Sequence, residues 1–146
     1  MKIIIEKKKR KLVVMEQEQV LFCCSVALGF APVGNKEKEG DGKTPEVRYF
    51  VCLKKRGKYG PSLGISYPSA SDALRLGTDE NLLQCIREKE AQGVRPPWGS
   101  FMGGEIYIHG GGTETDWTAG CIALEDADAE TLYALCEEGT EVVILP

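Results

Sequence analysis

The chain contains one histidine, His109, so any imidazole chemistry must use it. It ends the run Glu105-Ile106-Tyr107-Ile108-His109. Gly110-Gly111-Gly112 follow at once, where a backbone free of side chains lets a ligand approach closely. In a strand the side chains alternate, so Ile106 and Ile108 share one face and His109 joins Glu105 and Tyr107 on the other. The second reactive residue is Cys121, in Thr118-Ala119-Gly120-Cys121-Ile122-Ala123-Leu124. Ile122 and Leu124 alternate onto the core, which leaves Cys121 opposite. A thiol so placed becomes a nucleophile when an imidazole takes its proton. Residues 110–120 between the two are polar and Gly-rich. Two neighbouring strands joined by such a loop place both side chains on one rim. A lone histidine is more often structural, but its pairing with Cys121 puts catalysis ahead.

The other five cysteines, Cys23, Cys24, Cys52, Cys85 and Cys136, show no C-x2-4-C knuckle of the kind that holds zinc. The Cys23-Cys24 pair alternates across a strand and does not share one ligand sphere easily. Most of these thiols read as small buried hydrophobes. A thiolate metal protein built on His109 and several cysteines is therefore a poor alternative.

The elements that must position the pair are mostly strands. Apolar and β-branched-rich runs predict strands over Lys2 to Glu6, Leu12 to Met15, Val20 to Leu28, Tyr49 to Leu53, Leu63 to Ser66, Glu105 to His109, Gly120 to Leu124 and Glu141 to Leu145. The basic run Lys7-Lys8-Lys9-Arg10-Lys11 between the first two reads as a solvated hairpin tip. Gly, Asp and Pro punctuate residues 32–45 as loop and turns. Helices are expected over Ser69 to Leu76, Thr78 to Gln92 and Asp126 to Glu138. Ala129, Leu132, Tyr133 and Cys136 form the buried stripe of the last one. Pro96-Pro97-Trp98-Gly99 reads as a rigid surface loop rather than a lid. The expected architecture is mainly β with inserted helices, in one domain over residues 1–146.

Composition narrows the function classes. The chain has 146 residues, 42% hydrophobic, enough for one packed core without a disulfide or metal. Its 18 Lys and Arg against 22 Asp and Glu give a formal charge of -4, which argues against a nucleic-acid binder. No apolar run approaches the roughly 20 residues of a membrane span. The opening MKIIIEKKKRKLVV is no signal peptide, so a literal reading is cytoplasmic, although an export signal could have been trimmed.

Ile108-His109-Gly110-Gly111-Gly112 followed by Thr118-Ala119-Gly120-Cys121-Ile122-Ala123-Leu124 resembles the signature of the L,D-transpeptidase catalytic domain (YkuD-like). Further blocks resemble it: the opening hairpin, Val26-Ala27-Leu28-Gly29, the segment Lys36 to Tyr49 with its Gly40-Asp41-Gly42-Lys43-Thr44-Pro45, Ile65-Ser66-Tyr67-Pro68, and the ending Asp128 to Tyr133 followed by Gly139-Thr140-Glu141-Val142. The resemblance implies a mixed β-sandwich or barrel-like fold and a peptidoglycan stem peptide as substrate. Cys121 would attack the carbonyl of the third residue and release the terminal D-amino acid. The acyl group would then pass to an amine, or to water in a carboxypeptidase or amidase reaction.

The same resemblance makes His109 the base and gives the Gly110 carbonyl the task of orienting its ring. Gly120 and Cys121 would supply oxyanion N–H groups, with Ala119, Thr118 and Gly111 around the substrate. No cofactor is implied. A β-lactam of the carbapenem or penem type is implied as a covalent inhibitor, and a periplasmic or cell-wall location as the setting. Ala119 and Ala123 depart from the family pattern, since many members carry a second histidine and an Arg or Asn there. A non-catalytic wall-binding module is the alternative of another class; an intact His109 and Cys121 argue against it.

Overall fold

A computed structural model describes residues 1–146. Strand β1 (Lys2–Glu6) buries Ile3 and Ile5 and turns Lys2, Ile4 and Glu6 outward, the alternation of a half-buried strand. It pairs antiparallel with β2 (Lys11–Glu16) and parallel with β8 (Glu141–Leu145). Beyond β2 lies β3 (Gln19–Ser25). Beyond β8 follow β4 (Val47–Gly57), β5 (Gly60–Ile65), β6 (Tyr107–His109) and β7 (Ile122–Ala123). The full order is β3-β2-β1-β8-β4-β5-β6-β7, eight strands in one curled, half-barrel sheet.

The curl originates in β4. Its first residues, Val47 to Phe50, pair with β8, whereas Val51 onward pairs with β5 across a register shift between Val51 and Leu53. A bulge of this kind bends a strand and increases its twist. The two ends of the sheet then meet. Val20 to Leu28 is not one strand, as the sequence pattern predicts: β3 stops at Ser25, and Ala27 and Gly29 bridge to Ala123 and Thr118. The Ala27 and Ala123 amides exchange both backbone bonds at 2.9 Å. The segment leaves the β2 edge because β7 offers it unpaired backbone on the other side of the core. Residues 26–30 thus fix the Thr118–Ala123 segment along one flank while β6 fixes it along the other.

The helices cover the outside. Helix α1 (Ala70–Leu76) starts with a capping box between Ser69 and Asp72, and α2 (Glu80–Gln92) is capped by the Asp79 side chain. Helix α3 (Asp126–Leu135) packs on β5 and β6. It ends before Cys136, whose backbone is already extended. Cys136 is fully buried as expected, but as the residue that stops the helix and not as part of its stripe. The strand predicted from Glu105 begins only at Tyr107, because Glu105 takes a positive φ of 54°.

The basic run is also not a uniformly solvated tip. Lys8 and Lys9 fall in the turn and Lys9 is exposed, but Lys7 is buried, its ammonium 2.9 Å from the Gly34 carbonyl and 2.7 Å from that of Thr44. Three N–H donors on one ammonium tie the hairpin to residues 34–46, which run beneath the site. The Trp98 loop is fastened too, its indole N–H donating to the Tyr67 carbonyl at 3.0 Å.

Candidate active site

Strands β6 and β7 run parallel, with Ile108 opposite Ile122 and His109 opposite Ala123. Residues paired in this way share a face, so Ile108 and Ile122 point into the core while His109 and Ala123 point away. Cys121, two residues before Ala123, falls on the face of His109.

His109 is only 4% exposed, and its Nδ1 lies 2.5 Å from the Gly110 carbonyl. A carbonyl only accepts, so Nδ1 carries the proton and Nε2 keeps a lone pair for an incoming one. The ring is held on its faces as well. Tyr59 stacks on it at 4.7 Å and 18°, and Trp117 meets it edge-on at 5.8 Å. Burial lowers the His109 pKa below its usual 6.5, against the opposing pull of the Gly110 bond. The imidazole is therefore a neutral base at pH 7.

Cys121 is half-buried. Its Sγ lies 3.4 Å from the Tyr107 N–H and 3.5 Å from the Glu105 carbonyl, to which the thiol donates. Burial pushes this thiol up from its ordinary value. The Tyr107 N–H and the Lys36 ammonium pull it down, and Glu105 pushes it up further. The resting pair is thus a neutral thiol and a neutral imidazole. The thiol hydrogen is directed at the Glu105 carbonyl.

The turn before Cys121 is shaped by Thr118. Its hydroxyl donates to the Cys121 carbonyl at 2.7 Å and accepts from the Gly120 N–H at 3.1 Å. The Gly120 N–H, expected as an oxyanion donor, is bonded to the Thr118 hydroxyl in this structure. The Cys121 N–H bonds to no group of the protein and is the donor that remains. Gly120 is needed for space and conformation. Its φ is 142°, and a Cβ there would come within 2.9 Å of the Lys43 carbonyl oxygen. The Gly111 N–H is likewise spent, donating to Asp126 Oδ1 at 2.9 Å, so Gly111 anchors the loop to α3. Ala119 is exposed on the turn and offers no side-chain group, and Ala123 is buried against Ala27.

The loop itself has a second anchor. Asp116 receives Arg10 Nη2 at 2.8 Å and Nε at 3.1 Å, and also accepts from the Leu28 N–H at 2.9 Å. Beside His109, two depressions of about 490 and 510 Å³ share Tyr59 and Gly111. A further cleft of about 480 Å³ lies between the start of β4 and α1, lined by Arg48, Ser66 and Arg75, and includes no residue of 109–121. No three His, Cys, Asp or Glu side chains are gathered as metal ligands. Sequence reasoning missed Tyr59, Trp117, Asp116 and Lys36, which reach the site from a hairpin tip or from loops without periodicity.

Residues 1–144 match the family model for the YkuD L,D-transpeptidase catalytic domain. The chain belongs to that family. Comparison with curated proteins found no match. Among solved structures, this YkuD domain is similar to the helical cell shape determining protein Pgp2 of Campylobacter jejuni (K307A mutant), at 24% identity and a TM-score of 0.69 over 97% of this chain and 45% of that one. It is also similar to an L,D-transpeptidase of Xylanimonas cellulosilytica, at 14% identity and a TM-score of 0.57 over 97% of this chain and 58% of that one. A third is the Ldtfm-avibactam carbamoyl enzyme, at 12% identity and a TM-score of 0.58 over 99% and 48%. At these identities the likeness is one of fold. The YkuD domain spans about half the length of these solved chains.

Proposed function

We propose that this domain is a cysteine acyltransferase acting on peptidoglycan stem peptides at the periplasmic or cell-wall side. Cys121 is the nucleophile and His109 the general base. The observation that carries this reading is the pairing of β6, which ends at His109, with β7, which Cys121 immediately precedes, together with Nδ1 committed to Gly110 and Nε2 left as the base. Family membership supplies the substrate class, and the similarity to Pgp2, a cell shape determining protein, accords with it.

In the acylation step Sγ forms a bond to the carbonyl carbon of the third stem residue and its proton passes to His109 Nε2. The oxyanion that develops lies against the Cys121 N–H. Collapse breaks the peptide C–N bond, and Nε2 returns the proton to the departing D-amino acid. The acyl group then moves to an amine, closing a cross-link. Hydrolysis is the second reading, favoured by the lack of any side-chain polar group at Ala119 and Ala123 to hold an amine acceptor.

Mass spectrometry of purified tetrapeptide muropeptides after incubation tests both. Loss of the terminal D-amino acid with cross-linked dimers means transfer, and free tripeptide means hydrolysis. Unchanged muropeptides with folded protein, or equal turnover by Cys121→Ala, would overturn the reading.

A further inference from the structure

Residues 32–45 look like a solvated loop in the sequence, yet Lys36 within them is only 2% exposed. Its Nζ lies 2.9 Å from Asp41 Oδ1. It also lies against the nucleophile turn, 3.5 Å from where a Cβ on Gly120 would stand. An ammonium carries three N–H donors, and Asp41 is its one hydrogen-bond partner within the protein. Asp41 is itself fixed by the backbone. Its Oδ2 accepts from the N–H of Glu37 at 2.8 Å and of Lys38 at 3.1 Å, and its Oδ1 also accepts from the N–H of Lys43 at 3.1 Å. Burial alone would raise the Asp41 carboxyl, but the Glu37 N–H, the Lys36 ammonium and the other two N–H groups hold it at about 2. The carboxylate therefore stays charged, and the cation it holds stays in place.

Few charges surround Cys121. His109 is neutral, Glu105 is exposed and negative, and Lys43 turns its ammonium to Glu37 at 3.7 Å. Arg10 and Asp116 neutralise each other in the loop anchor. Ala119 and Ala123 contribute nothing polar. Lys36 is the one buried cation acting on the thiol.

We propose that Lys36, held by Asp41 beneath the Gly120-Cys121 turn, is the positioning residue that supplies fixed positive charge to the nucleophile. It favours the thiolate as the proton leaves for His109, and it exchanges no proton itself. The inference rests on Cys121 being the nucleophile, but its test reads the thiol and needs no peptidoglycan.

The rate of iodoacetamide alkylation is measured from pH 5 to pH 10.5 in the full chain, read by mass spectrometry on the Cys121 peptide, with the exposed Cys23 as internal reference. The Lys36→Met/Asp41→Asn double variant removes both charges together, so neither is left buried and unpaired. The Cys121 midpoint is expected to rise by about one pH unit, the Cys23 midpoint to stay, and Lys36→Arg to keep the parent value. A folded double variant with an unchanged Cys121 midpoint overturns the proposal. If the double variant does not fold, Lys36→Gln is measured in the same way. Failure of both neutral variants to fold, with Lys36→Arg folded, assigns Lys36 to the framework and overturns the proposal as well. Loss of muropeptide turnover by the parent protein with the midpoint shift intact would instead remove the substrate reading and leave the Lys36 assignment standing.

Discussion

The ring of Tyr59 lies over the imidazole of His109 at 4.7 Å and 18°, while its own carbonyl accepts the Gly110 N–H at 3.2 Å. One residue at the tip of the β4-β5 hairpin thus covers the base and fastens the backbone that orients it. Trp117 completes the enclosure, 5.2 Å from Tyr59 and donating its indole N–H to the Gly112 carbonyl at 3.0 Å. Burial under these rings is what keeps the imidazole neutral.

Tyr59→Ala should therefore act on the base and leave the fold intact. An aromatic pair is worth about 0.5–1.5 kcal/mol, so acylation should slow by roughly 2–10-fold. Opening the ring to water should also return the His109 pKa toward 6.5 and move the acid limb of the rate profile upward. Tyr59→Phe keeps the stack and should behave as the parent. Single-turnover acylation against pH on the three proteins checks this, and identical acid limbs would rule it out.

The loop anchor gives a graded pair. Asp116→Ala leaves the Leu28 N–H without its acceptor as well as freeing Arg10, so it should cost about 1–3 kcal/mol of stability. Arg10→Ala removes a part-exposed ion pair and the Arg10 Nη1 bond to the Lys7 carbonyl, but orphans no buried N–H, so it should cost about 1 kcal/mol. Urea unfolding of both variants measures the difference. The reverse order would mean that Arg10 carries more of the anchor than its exposure indicates.

Most of this architecture was legible where periodicity was strong. Short apolar runs marked β1, β2 and β8, and helical spacing marked α1, α2 and most of α3. Alternation turned His109 and Cys121 away from their apolar neighbours, and the helical stripe put Cys136 in the core. What escaped was set by tertiary pairing. The chain after Ser25 crosses the molecule because Ala123 has an open edge, and no local pattern encodes that edge. Lys7 and Lys36 read as solvated charges because their acceptors, the Gly34 and Thr44 carbonyls and Asp41, come from loops. The partner of the Gly120 N–H escaped for a similar reason: it depends on where the Thr118 hydroxyl points.

Covalent trapping tests the nucleophile apart from any wall substrate. A carbapenem or penem should add once, on the peptide containing Cys121, in intact-mass and digest analysis. The thiol opens the lactam ring and its proton passes to the ring nitrogen by way of His109. Cys52 and Cys136 are buried, with thiols pushed up to about 11, and should stay unmodified. Cys121→Ala should show no adduct. An adduct on any other cysteine, or none on folded parent protein, would count against Cys121.

His109→Gln separates base from framework. Glutamine is polar and of similar reach but accepts no proton, so acylation should fall by about 10²–10⁴-fold. Residual rate in the variant should climb steadily into the alkaline range, because burial holds the Cys121 thiol above its ordinary value and hydroxide must now remove its proton. The parent should instead gain rate only while His109 loses its proton, below pH 6.5, and then level off. Stability carries an independent signature. A histidine whose folded pKa is lowered binds fewer protons folded than unfolded, so its contribution is complete above pH 6.5 and is lost as pH falls through the folded value. The difference in melting temperature between parent and His109→Gln should therefore move against the parent between pH 7.5 and pH 5. A variant that is folded, shows that stability trend and still acylates at the parent rate would keep His109 as a buried neutral ring and remove it as the base.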